Sequence, residues 1–96
     1  MQVEIDGAAV STPHDFHQQI KSLLALGEYY GCNLDALWDF LATEVERPVH
    51  LIWSNSELSS KRLGQEYFER IVAIFEAVKE ADVKAGWSAG FTFELR

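Results

Sequence analysis

Polar and apolar residues alternate in two short segments of the chain, residues 2–6 and 91–95. Between them, residues 49–53 form a mostly apolar run that follows Pro48. Alternation is typical of a β-strand with one buried face, and a continuous apolar run is typical of a central strand covered on both faces. The pattern therefore predicts three strands, near 2–6, 49–53 and 91–95, with the second one at the centre of a sheet.

After the first strand, Phe16 and Ile20 begin a stripe of apolar residues at helical spacing. Thr12 can cap the start of this helix with its hydroxyl group, and Gly27 provides a natural end. These signals predict a helix near 13–26.

Similar spacing predicts a helix near 33–43, capped by Asn33, and a longer helix near 65–81. A short helix is also expected over 57–63. Because helices separate the strands, the sheet should be parallel, with the helices packed on it. We therefore predict a single α/β domain over 1–96, with a three-stranded parallel sheet packed by three to four helices.

The chain is acidic, with 15 Asp and Glu residues against 8 Lys and Arg residues and a net charge of −7. A nucleic-acid ligand is not expected, because phosphate binding needs clustered Lys and Arg; an acidic face favours a basic protein partner. The single Cys32 fits a reducing compartment. With neither a signal-peptide pattern nor a membrane-spanning run, we expect a cytoplasmic protein that does not bind membranes and is monomeric when free.

Residues 28–46 contain five acidic residues and no Lys or Arg. Asp35 and Asp39 lie four residues apart, on a different helix face from the apolar stripe that includes Leu37 and Leu41. Like charges at this spacing cost a helix roughly 0.2–0.5 kcal/mol. Such an uncompensated cost points to a binding surface, although an ordinary solvated helix face would have the same pattern.

The sequence of residues 29–39 resembles the signature of the barstar family of ribonuclease inhibitors. It reads Tyr29-Tyr30-Gly31-Cys32-Asn33-Leu34-Asp35-Ala36-Leu37-Trp38-Asp39, with Cys32 at the variable position. A looser likeness extends over nearly the whole chain. It implies a protein that catalyses nothing and needs no cofactor or metal. Its second helix and the preceding loop would block the active site of a basic, barnase-like ribonuclease of the extracellular or toxin kind.

The resemblance also implies residue roles. It places Asp39 where the RNA phosphate would lie, with Asp35 and Trp38 as central contacts. The remaining implied contacts are Tyr29, Asn33, Leu34, Ala42, Thr43, Glu44, Glu46 and Glu76. Of these, Glu76 stands for the acidic contact that the family has on its last long helix. The alignment of that helix places this contact to within about one residue. A carboxylate can satisfy the cations that hold phosphate but offers nothing to cleave, so inhibition would combine charge mimicry with steric exclusion.

Two positions depart from the family pattern. Ala42 stands where a polar contact can occur, and Glu44 stands where an aromatic contact occurs. These departures leave open a different nuclease, or an acidic regulatory adaptor whose partner is not a nuclease. A small hydrolase that uses Asp35 and Asp39 is a third possibility. It is disfavoured because an acid–base pair needs two different environments in a cleft. Asp35 and Asp39 instead share the outer face of one short helix.

Other residues with possible chemistry have simpler interpretations. His14 and His17 have the spacing of two metal ligands, but no third ligand is near in sequence, and we expect them to be solvated. Cys32 could be a reactive thiol near a helix start, but no His or Lys adjoins it. A core position is expected for His50, and core or core-edge positions are expected for Trp53 and Trp87.

Overall fold

The computed structural model describes all 96 residues and contains one three-stranded parallel sheet. Its strands are β1 (Gln2–Asp6), β2 (Val49–Ser54) and β3 (Phe91–Leu95). Strand β2 lies in the middle, and Leu51 is aligned with Val3 on one side and with Phe93 on the other. The predicted strands, their parallel arrangement and the α/β class are confirmed.

Four α-helices connect the strands. They are α1 (Pro13–Leu23), α2 (Leu34–Thr43), α3 (Ser56–Leu63) and α4 (Gln65–Lys84). A single 3-10 turn at Gly7–Ala9, which the sequence pattern did not predict, follows β1. None of the helices is both long and apolar enough to cross a lipid bilayer.

The core lies on one face of the sheet, whereas the apolar run of β2 predicted that both faces of this strand would be covered. On the other face of β2, only Ile52 is buried. Leu51 and Trp53 are fully buried, but His50, on the opposite face, is partly exposed. The prediction of a core position for His50 is therefore wrong. Its Nδ1 atom lies 2.7 Å from the hydroxyl oxygen of Thr92 on the neighbouring strand.

The core lies between the buried face of the sheet and helices α1, α2 and α4. Trp53, predicted to be in the core, has no exposed surface and stacks on Phe16 at a ring-centroid distance of 5.1 Å. The indole Nε1–H of Trp53 donates to the Ser59 hydroxyl, which donates to the carbonyl of Gly7. A side chain at Gly7 would meet the Ser54 carbonyl oxygen at 2.0 Å, so only glycine fits there.

The start of α1 is as predicted, but its end is not. Thr12 and Asp15 form a reciprocal capping box at the start of the helix. The helix ends at Leu23, before the expected stop at Gly27, because Ala25 adopts a left-handed conformation with φ of 51°. The amide of Leu26 then donates to the carbonyl of Lys21, as in a Schellman ending.

His17 is fully buried, so the expectation that it is solvated is wrong. Its Nδ1 atom lies 2.6 Å from the hydroxyl of Tyr30, and its Nε2 atom lies 2.8 Å from the hydroxyl of Tyr67. Both ring nitrogens therefore have partners, which makes burial of a polar ring tolerable. Desolvation is the main cause that lowers the pKa of His17 to about 4.

This burial predicts a pH-dependent loss of stability. The unfolded chain takes up a proton on His17 near its ordinary pKa of 6.5, whereas the folded chain does so only near 4. Stability should therefore be full above pH 6.5 and should fall as the pH drops towards 4. The loss from this group should reach about 3 kcal/mol. Denaturant unfolding of the wild type and of His17→Gln, at pH 7.5 and at pH 4.5, measures it. Equal losses in the two proteins would contradict the prediction.

Candidate protein-binding site

Helix α2 forms because its sequence contains both a cap and an apolar stripe. The side-chain oxygen of Asn33 accepts a hydrogen bond from the amide of Ala36 at 2.8 Å, which satisfies one of the free amides at the helix start. Leu37 and Leu41 are fully buried in the core, and burial of each stabilises the fold by about 1.5–3 kcal/mol. The predicted N-cap and this part of the predicted stripe are confirmed, and they fix which side of α2 faces outward.

The loop before α2 is held by Tyr30. This side chain is buried, lies within hydrogen-bonding distance of His17 on α1, and packs edge-on against Phe40 on α2. The side chain of the neighbouring Tyr29, in contrast, is solvent-exposed, with 87% of its surface accessible. Cys32 follows in a left-handed conformation, with φ of 53°. The loop therefore anchors one tyrosine and presents the other to solvent.

The outward side of α2 carries unpaired negative charge. Asp35 and Asp39 are exposed, and neither forms an ion pair with a Lys, Arg or His side chain. The same holds for Glu44, the C-cap of the helix, and for Glu46 beyond it. Asp35 and Asp39 thus lie on one side of α2, and Glu44 and Glu46 lie at its end, all without a base to neutralise them.

An open groove of about 540 Å³ lies between α2 and α4. Helix α2 supplies Leu34, Asp35, Trp38 and Asp39, so four of the predicted contact residues lie together here. Helix α4 supplies the small or apolar residues Ala73, Ile74 and Ala77. Glu76 is exposed on α4 and adjoins Ala77, but it does not itself line the groove.

A second cleft, of about 340 Å³, lies at the end of α2. Three predicted contact residues, Ala42, Thr43 and Glu46, line it. Trp87, from the loop between α4 and β3, lines it as well. The prediction of a core or core-edge position for Trp87 is wrong, since 54% of its surface is exposed. The sequence signal for this placement was weak: a tryptophan in a loop flanked by Gly86 and Gly90.

A buried ion pair holds this second cleft together. The guanidinium of Arg47 donates to both carboxylate oxygens of Asp82, at 2.7 and 3.0 Å, and also to the carbonyl of Val45. Asp82 additionally accepts from the amide of Phe91 at 2.7 Å. The hydrogen bond from Arg47 is the largest cause that lowers the pKa of Asp82. The pair therefore joins the segment after α2 to the segment after α4.

No group of three or more His, Cys, Asp or Glu side chains is arranged to hold a metal ion. Of the two histidines with ligand-like spacing, His14 is exposed and His17 is occupied by two tyrosine hydroxyls. The thiol of Cys32 is partly buried, and its nearest polar partners are the Gln18 amide and the Tyr30 carbonyl. What the site offers is therefore carboxylates and exposed aromatic rings.

The molecule is a small α/β protein that presents an acidic helix and exposed aromatic rings, a surface of the kind found in protein-binding proteins. Two comparisons with known proteins specify the class. The family model "Barstar (barnase inhibitor)" matches residues 1–95, so the chain belongs to the barstar family. The chain is also 34% identical over 79 residues to the Bacillus subtilis protein named "Putative ribonuclease inhibitor YrdF". That match covers 82% of this chain and 86% of the relative.

The cap geometry yields a prediction about Asn33. Asn33→Ala should lower the free energy of unfolding by about 1 kcal/mol, because the amide of Ala36 loses its partner. The matched control is Asn33→Ser, since serine is a comparable N-cap and should retain most of the stability. Urea titrations of the three proteins measure the difference. The capping role would be refuted by equal midpoints for the Ala and Ser variants.

Proposed function

We propose that this chain inhibits a basic, barnase-like ribonuclease by placing α2 and the preceding loop in the nuclease active site. Membership of the barstar family and the likeness to a protein named as a ribonuclease inhibitor support an inhibitor role. The observation that carries the proposal is the exposed, unpaired charge of Asp35 and Asp39 beside the exposed ring of Trp38. In this proposal the chain performs no catalysis, and it acts in the cytoplasm without a cofactor.

The chemistry of RNA cleavage explains why a carboxylate can block it. A ribonuclease must hold a phosphate with Arg, Lys or His side chains, and those donors also bind a carboxylate. Asp39 lies in the second half of α2, on a helix whose other side is fixed by Leu37 and Leu41. The carboxylate of Asp39 would occupy the phosphate position and provide no bond to cleave, while α2 excludes RNA.

Most of the acidic residues of α2 do not help the fold. Asp35 and Asp39 repel each other at helical spacing, at a cost of roughly 0.2–0.5 kcal/mol. Glu44 lies at the C-terminal end of α2, where the helix dipole disfavours negative charge by about 0.3–1 kcal/mol. Asp35 gains about 0.3–1 kcal/mol from the helix dipole because it lies in the first turn of α2, but Asp39 and Glu44 lie beyond that turn. A cationic partner is the simplest reason for the charges that the fold does not use.

The proposed contacts form a continuous strip along α2. Tyr29 lies before the helix, and Asn33 and Leu34 are at its start. Asp35, Trp38 and Asp39 form the centre, and the far end is formed by Ala42, Thr43, Glu44 and Glu46. Glu76 lines neither cleft, and we assign it as the contact that α4 contributes. The far end carries no aromatic residue from α2.

The proposal predicts that Asp39→Ala weakens binding more than any other single acidic substitution. Its removal would leave the phosphate-binding cations of the nuclease buried without a partner. Such a loss costs about 2–5 kcal/mol in general. Asp35→Ala should follow, and Glu46→Ala should cost less. Titration of each variant against barnase, by calorimetry and by inhibition of RNA cleavage, measures the order.

Thermal melts provide the control for this series. Asp39→Ala should melt at or slightly above the wild-type temperature, because the substitution removes the repulsion from Asp35. Glu69→Ala, an exposed acidic residue on α4 that does not line the groove, is the matched control and should bind like the wild type. Unchanged affinity in Asp39→Ala would refute phosphate mimicry. A wild-type chain that neither binds nor inhibits barnase at micromolar concentration would refute the proposed function.

The charge of α2 should also guide association. Association with barnase should slow as salt rises, because screening shortens to about 8 Å near 0.15 M, and dissociation should change less. A Glu44→Gln/Glu46→Gln double variant should flatten the salt dependence. The control is Glu4→Gln/Glu57→Gln, which changes the net charge equally on other elements. Stopped-flow mixing gives both rates. Equal salt slopes in the two double variants would show that the placement of the charges has no effect.

A further inference from the structure

Only three of the twelve aromatic Phe, Trp and Tyr side chains are exposed, and all three lie around α2. Tyr29 precedes the helix and is 87% exposed, Trp38 lies within it and is 39% exposed, and Trp87 is 54% exposed beside its end. Trp87 is 44 residues after Thr43, and the fold brings both to one cleft. Exposed Tyr and Trp rings are enriched at protein interfaces, since they bury a large area with little loss of freedom.

The loop that carries Trp87 is fixed rather than loose. The amide of Trp87 donates to the carbonyl of Asp82 at 3.1 Å, and the amide of Phe91 donates to the Asp82 carboxylate. That carboxylate is held in turn by Arg47, four residues after the end of α2. A side chain at Gly90 would meet the Asp82 carboxylate at 2.7 Å, so the loop closes tightly around it. The backbone of Trp87 is therefore tied to the segment after α2 before any partner binds.

The second cleft also carries an unpaired negative charge, which indicates the kind of side chain that it binds. Glu46 lines it together with Trp87 and has no ion-pair partner. The carboxylate of Asp82, in contrast, is neutralised by Arg47. A free carboxylate beside an exposed indole suits a guanidinium, which can stack on the ring while it donates hydrogen bonds to the acid.

We propose that Trp87 and Glu46 receive an arginine side chain from the rim of the ribonuclease, extending the interface beyond α2 onto the α4–β3 loop. This inference rests on the proposed function, because the arginine belongs to the same partner. The cleft is continuous with the proposed contact strip through Ala42 and Thr43, which line it as well. Trp87 is then a contact residue that α2 and its preceding loop do not contain.

Binding to barnase tests the inference through Trp87→Ala, with Trp87→Phe as the conservative variant. Trp87→Ala should weaken binding about tenfold, and Trp87→Phe should lose less because it keeps a smaller ring. The matched control is Leu58→Ala on α3, which removes an exposed apolar side chain that does not line either cleft. Leu58→Ala should bind like the wild type.

A second measurement follows the binding of the wild-type chain itself. The chain is labelled with 5-fluorotryptophan, and fluorine NMR follows its three tryptophans as unlabelled barnase is added. The resonance of Trp87, assigned with Trp87→Phe, should shift, and that of the buried Trp53 should shift least. If barnase binds but the Trp87 resonance stays in place, or Trp87→Ala binds like the wild type, the inference is wrong and the proposed function stands. If the wild type does not bind barnase, the proposed function itself fails.

Discussion

The strongest constraint on this structure is that the sheet has only one face for helices to cover. Its other face is largely polar, so the core forms on the side of Leu51 and Trp53. Helices α1, α2 and α4 all bury residues there, and three helices crowd a sheet of three short strands. Helix α2 consequently packs mainly against α4 rather than on a strand. On α2, Leu37 and Leu41 are buried in the core, and Leu34, Ala36 and Phe40 pack partly against it. The remaining side chains of α2 are free to bind a partner.

Two buried polar contacts fix the ends of α2, and they differ in kind. At the start, His17 and Tyr30 join the loop to α1 through neutral groups. At the end, Arg47 and Asp82 join the following segment to α4 through an ion pair. Burial of either group alone would be costly, but each has a partner for its polar atoms. A helix held at both ends loses little freedom when it binds, which leaves more of the contact energy for affinity.

The elements of the fold could be predicted because each carries a local signal. Asn33 and the apolar stripe of α2 indicated the helix that carries the candidate site, and alternation indicated two strands. His17, Trp87 and the α4 side of the groove could not be predicted in this way. His17 is buried because Tyr67, 50 residues away, provides a hydroxyl, and Ala73 and Ala77 have no chemistry that a pattern could detect. Each of these placements depends on a tertiary contact.

In the proposed complex, Asp39 at the centre of α2 would provide inhibition, and Glu46 and Trp87 at the second cleft would provide specificity. Any ribonuclease must present cations to a phosphate, so a carboxylate at Asp39 suits many nucleases and discriminates poorly among them. The rim of a nuclease is under no such requirement and is free to differ. Glu46 and Trp87 would face that rim from two separate chain segments joined by the Arg47–Asp82 pair. Changes in the α4–β3 loop could therefore alter which nuclease is bound without disturbing the phosphate-mimicking centre of α2.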